Sequence, residues 1–186
     1  RLIKADVFPI SIDFKKFNDA WDDEQIIETR ADMKSNFIDK QVIFSVDRLD
    51  YTKGLSHRLK GYEYFLTHHP EYHNKVVFIL VIVPSRDNIS RYKERKRMVD
   101  ESISNINSKI GNIHWQPVIY QYNTLTFHEM VTLYTCCDVA LITPLRDGMN
   151  LVAKEFLAAQ DPEDPGVLVL SNLAGAAREL TAALQI

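Results

Sequence analysis

The chain has 186 residues, of which 46% are hydrophobic and 25% are charged, a composition typical of a globular protein with a sizeable core. The formal net charge of −3 offers no basic surface for nucleic acid and no polybasic membrane signal, so we expect neither partner. Cys136 and Cys137 are neighbours and cannot staple distant segments. We therefore expect them to be reduced core residues of a cytoplasmic protein, and we predict no metal site.

Residues 1–40 differ from the rest of the chain and form a predicted lead-in of one strand and one helix. Residues 7–13 (VFPISID) indicate either a short strand or a linker. Residues 19–37 predict an exposed helix. We expect this segment to come from a region between two domains.

From residue 41 onward, apolar runs with the length of strands alternate with helical patterns. Predicted strands cover residues 41–47, 75–83, 114–120, 138–143 and 166–171. Predicted helices follow them and begin near Leu55, Asn88, Phe127, Met149 and Ala174. Continuous apolar strands in β-α alternation are typical of parallel strands that helices cover on both faces. Residues 41–186 are therefore predicted to form a doubly wound, mostly parallel, Rossmann-like α/β domain.

Charged residues follow the first predicted strand, at the edge of the sheet where such folds bind ligands. Arg48 and Lys53 come directly after this strand, and Gly54 lies where a helix begins. Two cations beside a helix amino terminus favour a phosphate group. Alternatively, Arg48 pairs with Asp47 or Asp50 on the surface and Lys53 is solvated. Arg86 follows the second strand, where a single arginine is usually a loop or capping residue.

The fourth predicted strand ends in the sequence PLRDGMNLVAKEF, residues 144–156. Gly148 permits a close approach of backbone to ligand, and the first N–H groups of the next helix would form an anion cradle. The N–H groups in question belong to Asn150, Leu151 and Val152. Glu155 lies one turn further and could accept two hydrogen bonds from a ribose diol. Alternatively, Asp147 caps the helix and Glu155 is a solvated residue beside Lys154.

Together, the three strand ends would offer cations, helix amino ends and carboxylates to one crevice, which suits a sugar nucleotide. The sequence has no G-x-G-x-x-G after the first strand, which weakens a dinucleotide-cofactor interpretation. It also has no D-x-D pair for a metal under a diphosphate. Arg48 and Lys53 could supply the positive charge instead.

Four segments resemble the C-terminal half of the trehalose-6-phosphate synthase family: VDRLDYTKG (46–54), VPSRDNISRYKE (83–94), DVALITPLRDGMNLVAKEF (138–156) and GVLVLSNLAGAARELTAAL (166–184). Members are retaining GT-B glycosyltransferases that join glucose from UDP-glucose to glucose 6-phosphate. The resemblance runs from about Val7 to the end of the chain. It implies an N-terminal GT-B domain and a C-terminal tail outside these residues, no metal or other cofactor, and a possible homo-oligomer.

The resemblance also assigns roles to individual residues. Arg48 and Lys53 would clamp the donor diphosphate, and with Asp147 they would be the catalytic residues. Arg86 would contact the acceptor phosphate. The remaining donor-binding residues would be Asp147 with the backbone of Gly148, Met149 and Asn150 at the glucose, Leu151 and Val152 at the phosphate, Glu155 at the ribose and Leu125 at the uracil. Such a half-site is expected to bind UDP or UDP-glucose weakly and to turn over nothing alone.

Two other functions fit the same residues. One is a sister GT-B transferase that uses another acceptor, such as a phosphorylated polyol. The other is a non-catalytic regulatory or binding module. Retention of Arg48, Lys53, Asp147 and Glu155 opposes the second, because a decayed site should have lost one or more of them. The preference for UDP, GDP or ADP stays open.

Overall fold

A computed structural model describes residues 3–6, 8–85 and 90–186, and these residues form a six-stranded parallel sheet flanked by helices. The strand order is β3-β2-β1-β4-β5-β6, and every ladder between neighbours is parallel. The predicted doubly wound α/β fold is confirmed. The strands are β1 (Gln41–Arg48), β2 (Val76–Val83), β3 (Val118–Gln121), β4 (Val139–Ile142), β5 (Val167–Leu170) and β6 (Leu184–Gln185).

The helices follow the predicted order, except for an unpredicted short helix, α1, near the N-terminus and two differences at the C-terminal end. They are α1 (Phe14–Asn18), α2 (Glu24–Asn36), α3 (Leu55–His68), α4 (Ser90–Ile110), α5 (Phe127–Cys136) and α6 (Leu151–Ala158). Helix α6 begins two residues after the predicted Met149. The predicted last helix from Ala174 is wrong, because a single 3-10 turn, Gly175–Arg178, occupies this place and leads into β6.

The N-terminal residues are packed onto the sheet domain through α5. No strand forms in residues 8–13, and Val7 lies outside the described residues. The predicted exposed helix is present as α2, with most of its residues exposed, but Ile26 is fully buried. Phe17 of α1 lies 5.5 Å from Phe127 of α5, measured between ring centroids. The lead-in therefore shares the core of the sheet domain.

The core is built on β1 and β2, whose apolar side chains are buried on both faces of the sheet. Phe44 and Phe78 are fully buried on these strands, and Tyr134 and Phe156 pack edge to face nearby. Cys136 and Cys137 are buried free thiols, as predicted. Within the described ranges, no helix is both long enough and apolar enough to cross a bilayer.

The pairing between β1 and β4 is short, and this creates the crevice. Strand β1 pairs with β2 along its whole length, but it pairs with β4 only at Ile43–Val139 and Phe44–Ala140. Both strands continue beyond these pairs toward their carboxyl ends. Because the ladder stops there, the sheet opens between β1 and β4, at the point where the strand order changes direction.

Candidate ligand site at the carboxyl edge of the sheet

An ion pair between Lys53 and Asp147 lies at the opening of the sheet. The Lys53 Nζ atom is 2.5 Å from Asp147 Oδ2 and 3.9 Å from Asp47 Oδ1. Only 14% of the Lys53 side chain is exposed. The alternative of a solvated Lys53 is therefore wrong, and the structure brings together Lys53 and Asp147, which are 94 residues apart in sequence.

The loop before α3 fixes the position of Lys53. The Asp50 carboxylate accepts hydrogen bonds from the backbone N–H and the hydroxyl of Thr52, both at 2.9 Å. Gly54 then adopts a left-handed conformation with φ of 67°. A Cβ atom at Gly54 would lie 2.8 Å from the carbonyl oxygen of Thr143, so only glycine fits both the conformation and the space.

Asp147 is held by three donors and does not cap α6. Besides Lys53, it accepts hydrogen bonds from Asn150 Nδ2 at 3.1 Å and from the Met149 N–H at 3.4 Å. Partial burial acts to raise the pKa of Asp147, but the hydrogen bond and charge of Lys53 outweigh it and lower the pKa. The helix cap is Asn150, at φ of 70°, whose Oδ1 accepts from the N–H of Ala153. The capping alternative for Asp147 is therefore wrong.

A buried charged pair below the ion pair was not found from the sequence. Asp47 is paired with Arg58, at 2.7 Å between Asp47 Oδ2 and Arg58 Nη1, and not with Arg48. Burial raises the pKa of Asp47, although the adjacent Arg58 acts to lower it. The signal in the sequence is that Ser45 and Asp47 interrupt an apolar strand, because buried polar side chains require partners.

A cleft of about 440 Å³ opens beside these groups. Arg48 lines it with an exposed side chain, and its positive charge acts to lower the pKa of the nearby Asp50. The predicted donor-site residues in its wall are Arg48, Lys53, Asp147, Met149, Asn150, Leu151 and Val152. Gly148 adjoins this wall, and no atom lies within 4 Å of the position that a Cβ would take. The predicted close approach to the backbone is sterically open there.

Two of the predicted site residues, Glu155 and Leu125, lie elsewhere. Glu155 does not line the cleft, and its Oε2 accepts a hydrogen bond from the Tyr134 hydroxyl at 2.8 Å. Leu125 lines a separate apolar groove between α2 and α5. Arg86 lies outside the described residues. The alternative of Glu155 solvated beside Lys154 is wrong, because Glu155 is half-buried and Lys154 is buried, 2.7 Å from Glu179.

The segment after β5 supports the loop that carries Asp147. The Asp147 N–H donates to Leu173 O at 3.3 Å, and the N–H of Gly175 donates back to Asp147 O at 2.9 Å. The N–H of Ala176 donates to Met149 O at 2.7 Å. A Cβ atom on Gly175 would lie 1.9 Å from Gly148 O, so the two backbones are in direct contact. The loop is therefore held by backbone atoms.

A model of glycosyltransferase family 20 matches residues 1–186, the whole chain. The chain belongs to glycosyltransferase family 20. Among relatives, it is 46% identical over 186 residues to the bifunctional trehalose-6-phosphate synthase/phosphatase of Thermoproteus tenax, covering 100% of this chain and 25% of that protein. It is 41% identical over 184 residues to the UDP-forming α,α-trehalose-phosphate synthase of Candida albicans, covering 99% and 38%.

Solved structures agree with this family 20 assignment. An E. coli structure bound with UDP-2-fluoro glucose superposes with a TM-score of 0.92 at 40% identity, covering 97% of this chain and 40% of that chain. The UDP-forming α,α-trehalose-phosphate synthase of Burkholderia xenovorans, in complex with glucose-6-phosphate, gives a TM-score of 0.92 at 37% identity, covering 96% and 39%. The resemblance to trehalose-6-phosphate synthases is confirmed. The chain spans less than half the length of these relatives.

Proposed function

We propose that this chain is the donor-binding half of an α,α-trehalose-phosphate synthase that transfers glucose from UDP-glucose to glucose 6-phosphate with retention of configuration. The observation that carries the proposal is the Lys53–Asp147 ion pair, which lies beside Arg48 in a cleft at the carboxyl edge of the sheet. A cation and a carboxylate side by side match the diphosphate and the sugar hydroxyls of one donor. The names of the relatives support the same substrates.

Each wall of the cleft suits one part of the donor. Lys53 and Arg48 would neutralise the diphosphate with charge-assisted hydrogen bonds. The first N–H groups of α6, at Leu151 and Val152, point along the helix dipole and would add to this positive potential. Asp147 would accept hydrogen bonds from the glucose hydroxyls.

The proposed roles of Glu155, Leu125 and Arg86 rest on the family resemblance. Tyr134 fixes one carboxylate oxygen of Glu155, and the other would accept from a ribose hydroxyl. Leu125 would reach the uracil only if the base extends past the start of α5. Arg86 would contact the acceptor phosphate.

In the proposed reaction, the bond between the glucose C1 atom and the UDP oxygen breaks while the acceptor oxygen approaches C1 on the same face. The departing phosphate oxygen takes the proton of the acceptor hydroxyl, so no protein nucleophile is needed. The chain would contribute by positioning the donor and by placing fixed positive charge where the leaving group becomes negative. Arg48 and Lys53 would perform the task that a metal ion performs in other transferases.

The proposal includes the cellular setting of the reaction. An N-terminal GT-B domain of the same protein would complete the acceptor pocket, in agreement with the greater length of the relatives. We place the protein in the cytoplasm, where the buried thiols of Cys136 and Cys137 stay reduced, and we allow for assembly as a homo-oligomer. A sister transferase or a non-catalytic module is not favoured, because the relatives described above are named as synthases.

Calorimetric titration with UDP, ADP and GDP tests the proposal. We expect selective binding of UDP, and Lys53→Met should weaken it at least tenfold, since a hydrogen bond to a charged group contributes roughly 1.5–3 kcal/mol. The matched control is Lys109→Met on α4, whose side chain is 66% exposed and pairs with Glu63. Equal UDP affinity in Lys53→Met and Lys109→Met would contradict the proposed donor site.

A further inference from the structure

Arg58 is a buried cation that the proposed chemistry leaves without a role. Its side chain is only 1% exposed, yet all three of its nitrogens donate hydrogen bonds. Nε donates to Thr143 Oγ1 at 2.9 Å, and Nη2 donates to the backbone oxygen of Lys53 at 3.1 Å. Nη1 donates to Asp47 Oδ2 at 2.7 Å and to the hydroxyl of Ser45. Arg58 therefore joins β1, the residue after β4 and the loop before α3.

These contacts place Arg58 in the opening of the sheet, below the cleft. The ladder between β1 and β4 ends at Phe44–Ala140, and Arg58 bridges the two strands just beyond that point. Arg58 does not line the cleft itself. Its effect on a bound diphosphate therefore passes through the two neighbours that line the cleft. These are Asp47, which the guanidinium contacts, and Lys53, whose backbone oxygen it contacts.

The charges around Lys53 balance only when Arg58 is present. Two cations, Arg58 and Lys53, face two carboxylates, Asp47 and Asp147. Without Arg58, one ammonium would face two carboxylates, and the resulting negative charge would repel a diphosphate. Asp47 would also lose its partner. A buried carboxylate without a partner strongly destabilises the folded protein. Asp47 would therefore attract Lys53, the nearest remaining cation, whose Nζ is already 3.9 Å from Asp47 Oδ1.

We infer that Arg58 is a positioning residue for the donor diphosphate: it neutralises Asp47 and anchors the Lys53 backbone, so that the Lys53 ammonium stays at the cleft. This inference rests on the proposed function. In this arrangement, Asp47 would compete with Asp147 for the Lys53 ammonium if it were not already paired with Arg58. Removal of the Asp47 charge should then compensate for the loss of Arg58.

Calorimetric titration of UDP into a set of variants tests the inference. We expect Arg58→Met to weaken UDP binding by about tenfold or more, and Arg58→Met combined with Asp47→Asn to return to within about threefold of the unchanged protein. In a Lys53→Met background, Arg58→Met should cost less affinity than in the unchanged protein, because the anchored ammonium is gone. The loss that remains should disappear with Asp47→Asn, because it comes from the Asp47 charge in the cleft. Arg97→Met, an exposed arginine on α4, is the control and should bind normally.

Two results would overturn the inference. One is an equal loss of affinity on Arg58→Met whether or not Lys53 is present, which is the result of a purely structural role. The other is the absence of rescue by Asp47→Asn. If Arg58→Met does not fold, Arg58→Lys carries the same test, because an ammonium can neutralise Asp47 but lacks the fork that also reaches Lys53 O. A loss of about threefold that Lys53→Met abolishes supports the inference, and an additive loss overturns it.

Ligand-free crystal structures separate this inference from the proposed function. Absence of UDP binding by the unchanged protein would contradict the donor site but would leave the position of Lys53 measurable. In Arg58→Met, Lys53 Nζ shifted from Asp147 toward Asp47 supports the inference. Lys53 Nζ still paired with Asp147 in that variant overturns it.

Discussion

Lys53 already has a partner before any ligand arrives, and this shapes how the site would work. Its ammonium lies 2.5 Å from the Asp147 carboxylate. A diphosphate would therefore have to displace this carboxylate from the ammonium or share the ammonium with it. Asp147 would then be released toward the sugar hydroxyls. In this exchange, a nucleotide without its sugar leaves Asp147 with no cation, and only the Asn150 amide and the Met149 N–H still donate to it. The proposed donor supplies both partners, a diphosphate for Lys53 and sugar hydroxyls for Asp147.

The Lys53–Asp147 pair makes stability depend on pH in the acid range. The pKa of Asp147 is lowered in the folded protein, so its ionised form stabilises the fold above the unfolded pKa of about 3.9, and this contribution is lost as pH falls through the lowered folded value. We expect Asp147→Asn to lower the free energy of unfolding at pH 7 and to show a smaller difference from the unchanged protein below about pH 3.5. Urea denaturation at several pH values measures this difference.

The contribution of Asp147 must be separated from those of other carboxylates. The pKa of Asp47 is raised by burial, so its contribution to the pH dependence has the opposite sign, and only the difference between variant and unchanged protein isolates Asp147. Asp32→Asn, an exposed carboxylate on α2, is the control and should have little effect. A stability difference for Asp147→Asn that is constant from pH 7 to about pH 2.5 would contradict the role of its charge.

For individual residues, the sequence predicts those that face the cleft better than those that support them. Lys53 and Asp147 could be predicted to meet because both follow parallel strands, whose carboxyl ends share one edge of the sheet. Arg58 could not, because an arginine in the first turn of a helix is usually exposed. Only the polar interruptions Ser45 and Asp47 on β1 hint at a buried partner.

Among the elements, the segment after β5 has a sequence that favours a helix, but its tertiary contacts hold it in another conformation. The sequence AGAARELTAAL from Ala174 favours a helix, yet only the 3-10 turn Gly175–Arg178 forms. The N–H groups of Gly175 and Ala176 donate to the loop of Asp147 and Met149, and Gln185 Nε2 donates to Ala177 O at 2.7 Å. The loop of Asp147 and Met149 lies far away in sequence, so a local pattern cannot predict its contacts with this segment.

Gly175, the one glycine between β5 and β6, should be sensitive to substitution. A Cβ on Gly175 would lie 1.9 Å from Gly148 O, and a backbone atom cannot move aside cheaply. We expect Gly175→Ala to lower the free energy of unfolding by about 2 kcal/mol or more, as overpacking does in a tight interior. Urea denaturation measures it, and UDP titration should show weakened binding as well.

The matched control for that substitution is Gly61→Ala. Gly61 is exposed in the middle of α3, and nothing lies within 4 Å of a Cβ there. Alanine favours a helix over glycine by roughly 0.5–1 kcal/mol, so Gly61→Ala should stabilise the protein. If Gly175→Ala were as stable as Gly61→Ala, the backbone contact between Gly175 and Gly148 would not exist in solution.

The described residues share a single hydrophobic core, which the N-terminal helices join through contacts with α5 and α6. The parallel class of the sheet could be predicted, because continuous apolar runs separated by helices permit few other arrangements. The packing of α1 and α2 could not, because their sequence is mostly polar and their buried residues are Phe17 and Ile26. A hydrogen bond between the hydroxyls of Thr29 and Thr132, at 2.8 Å, also joins α2 to α5. Strand β6 has two exposed residues and leaves no apolar pattern.

Because the core is shared, its buried thiols should report on global unfolding. Burial raises the pKa of Cys136 to about 11 and holds the pKa of Cys137 well above its usual value, so few thiolates form at pH 8. We expect iodoacetamide to modify both thiols slowly in buffer and rapidly in urea, in parallel with the loss of native structure. Mass spectrometry counts the modified thiols.

An exposed thiol serves as the reference for that reaction. Ser35→Cys places a thiol on the exposed part of α2, and it should react at the same rate with and without urea. Rapid modification of Cys136 in buffer alone would mean that α5 opens locally while the rest of the sheet stays intact.

The short ladder between β1 and β4 has a mechanical consequence. Asp138 binds Val42 through both its backbone N–H, at 3.0 Å, and its carboxylate, at 2.6 Å, and so closes the two strands firmly at the far edge of the sheet. Lys53 and Asp147 lie beyond the other ends of these strands, and the rise from Val42 to Asp47 is about 16 Å. Asp138 therefore fixes the spacing of β1 and β4 at the end of the sheet opposite the ion pair. Arg58 joins the same two strands near their other ends, through Ser45 and Thr143, so the gap between the cation and the carboxylate is fixed from both sides.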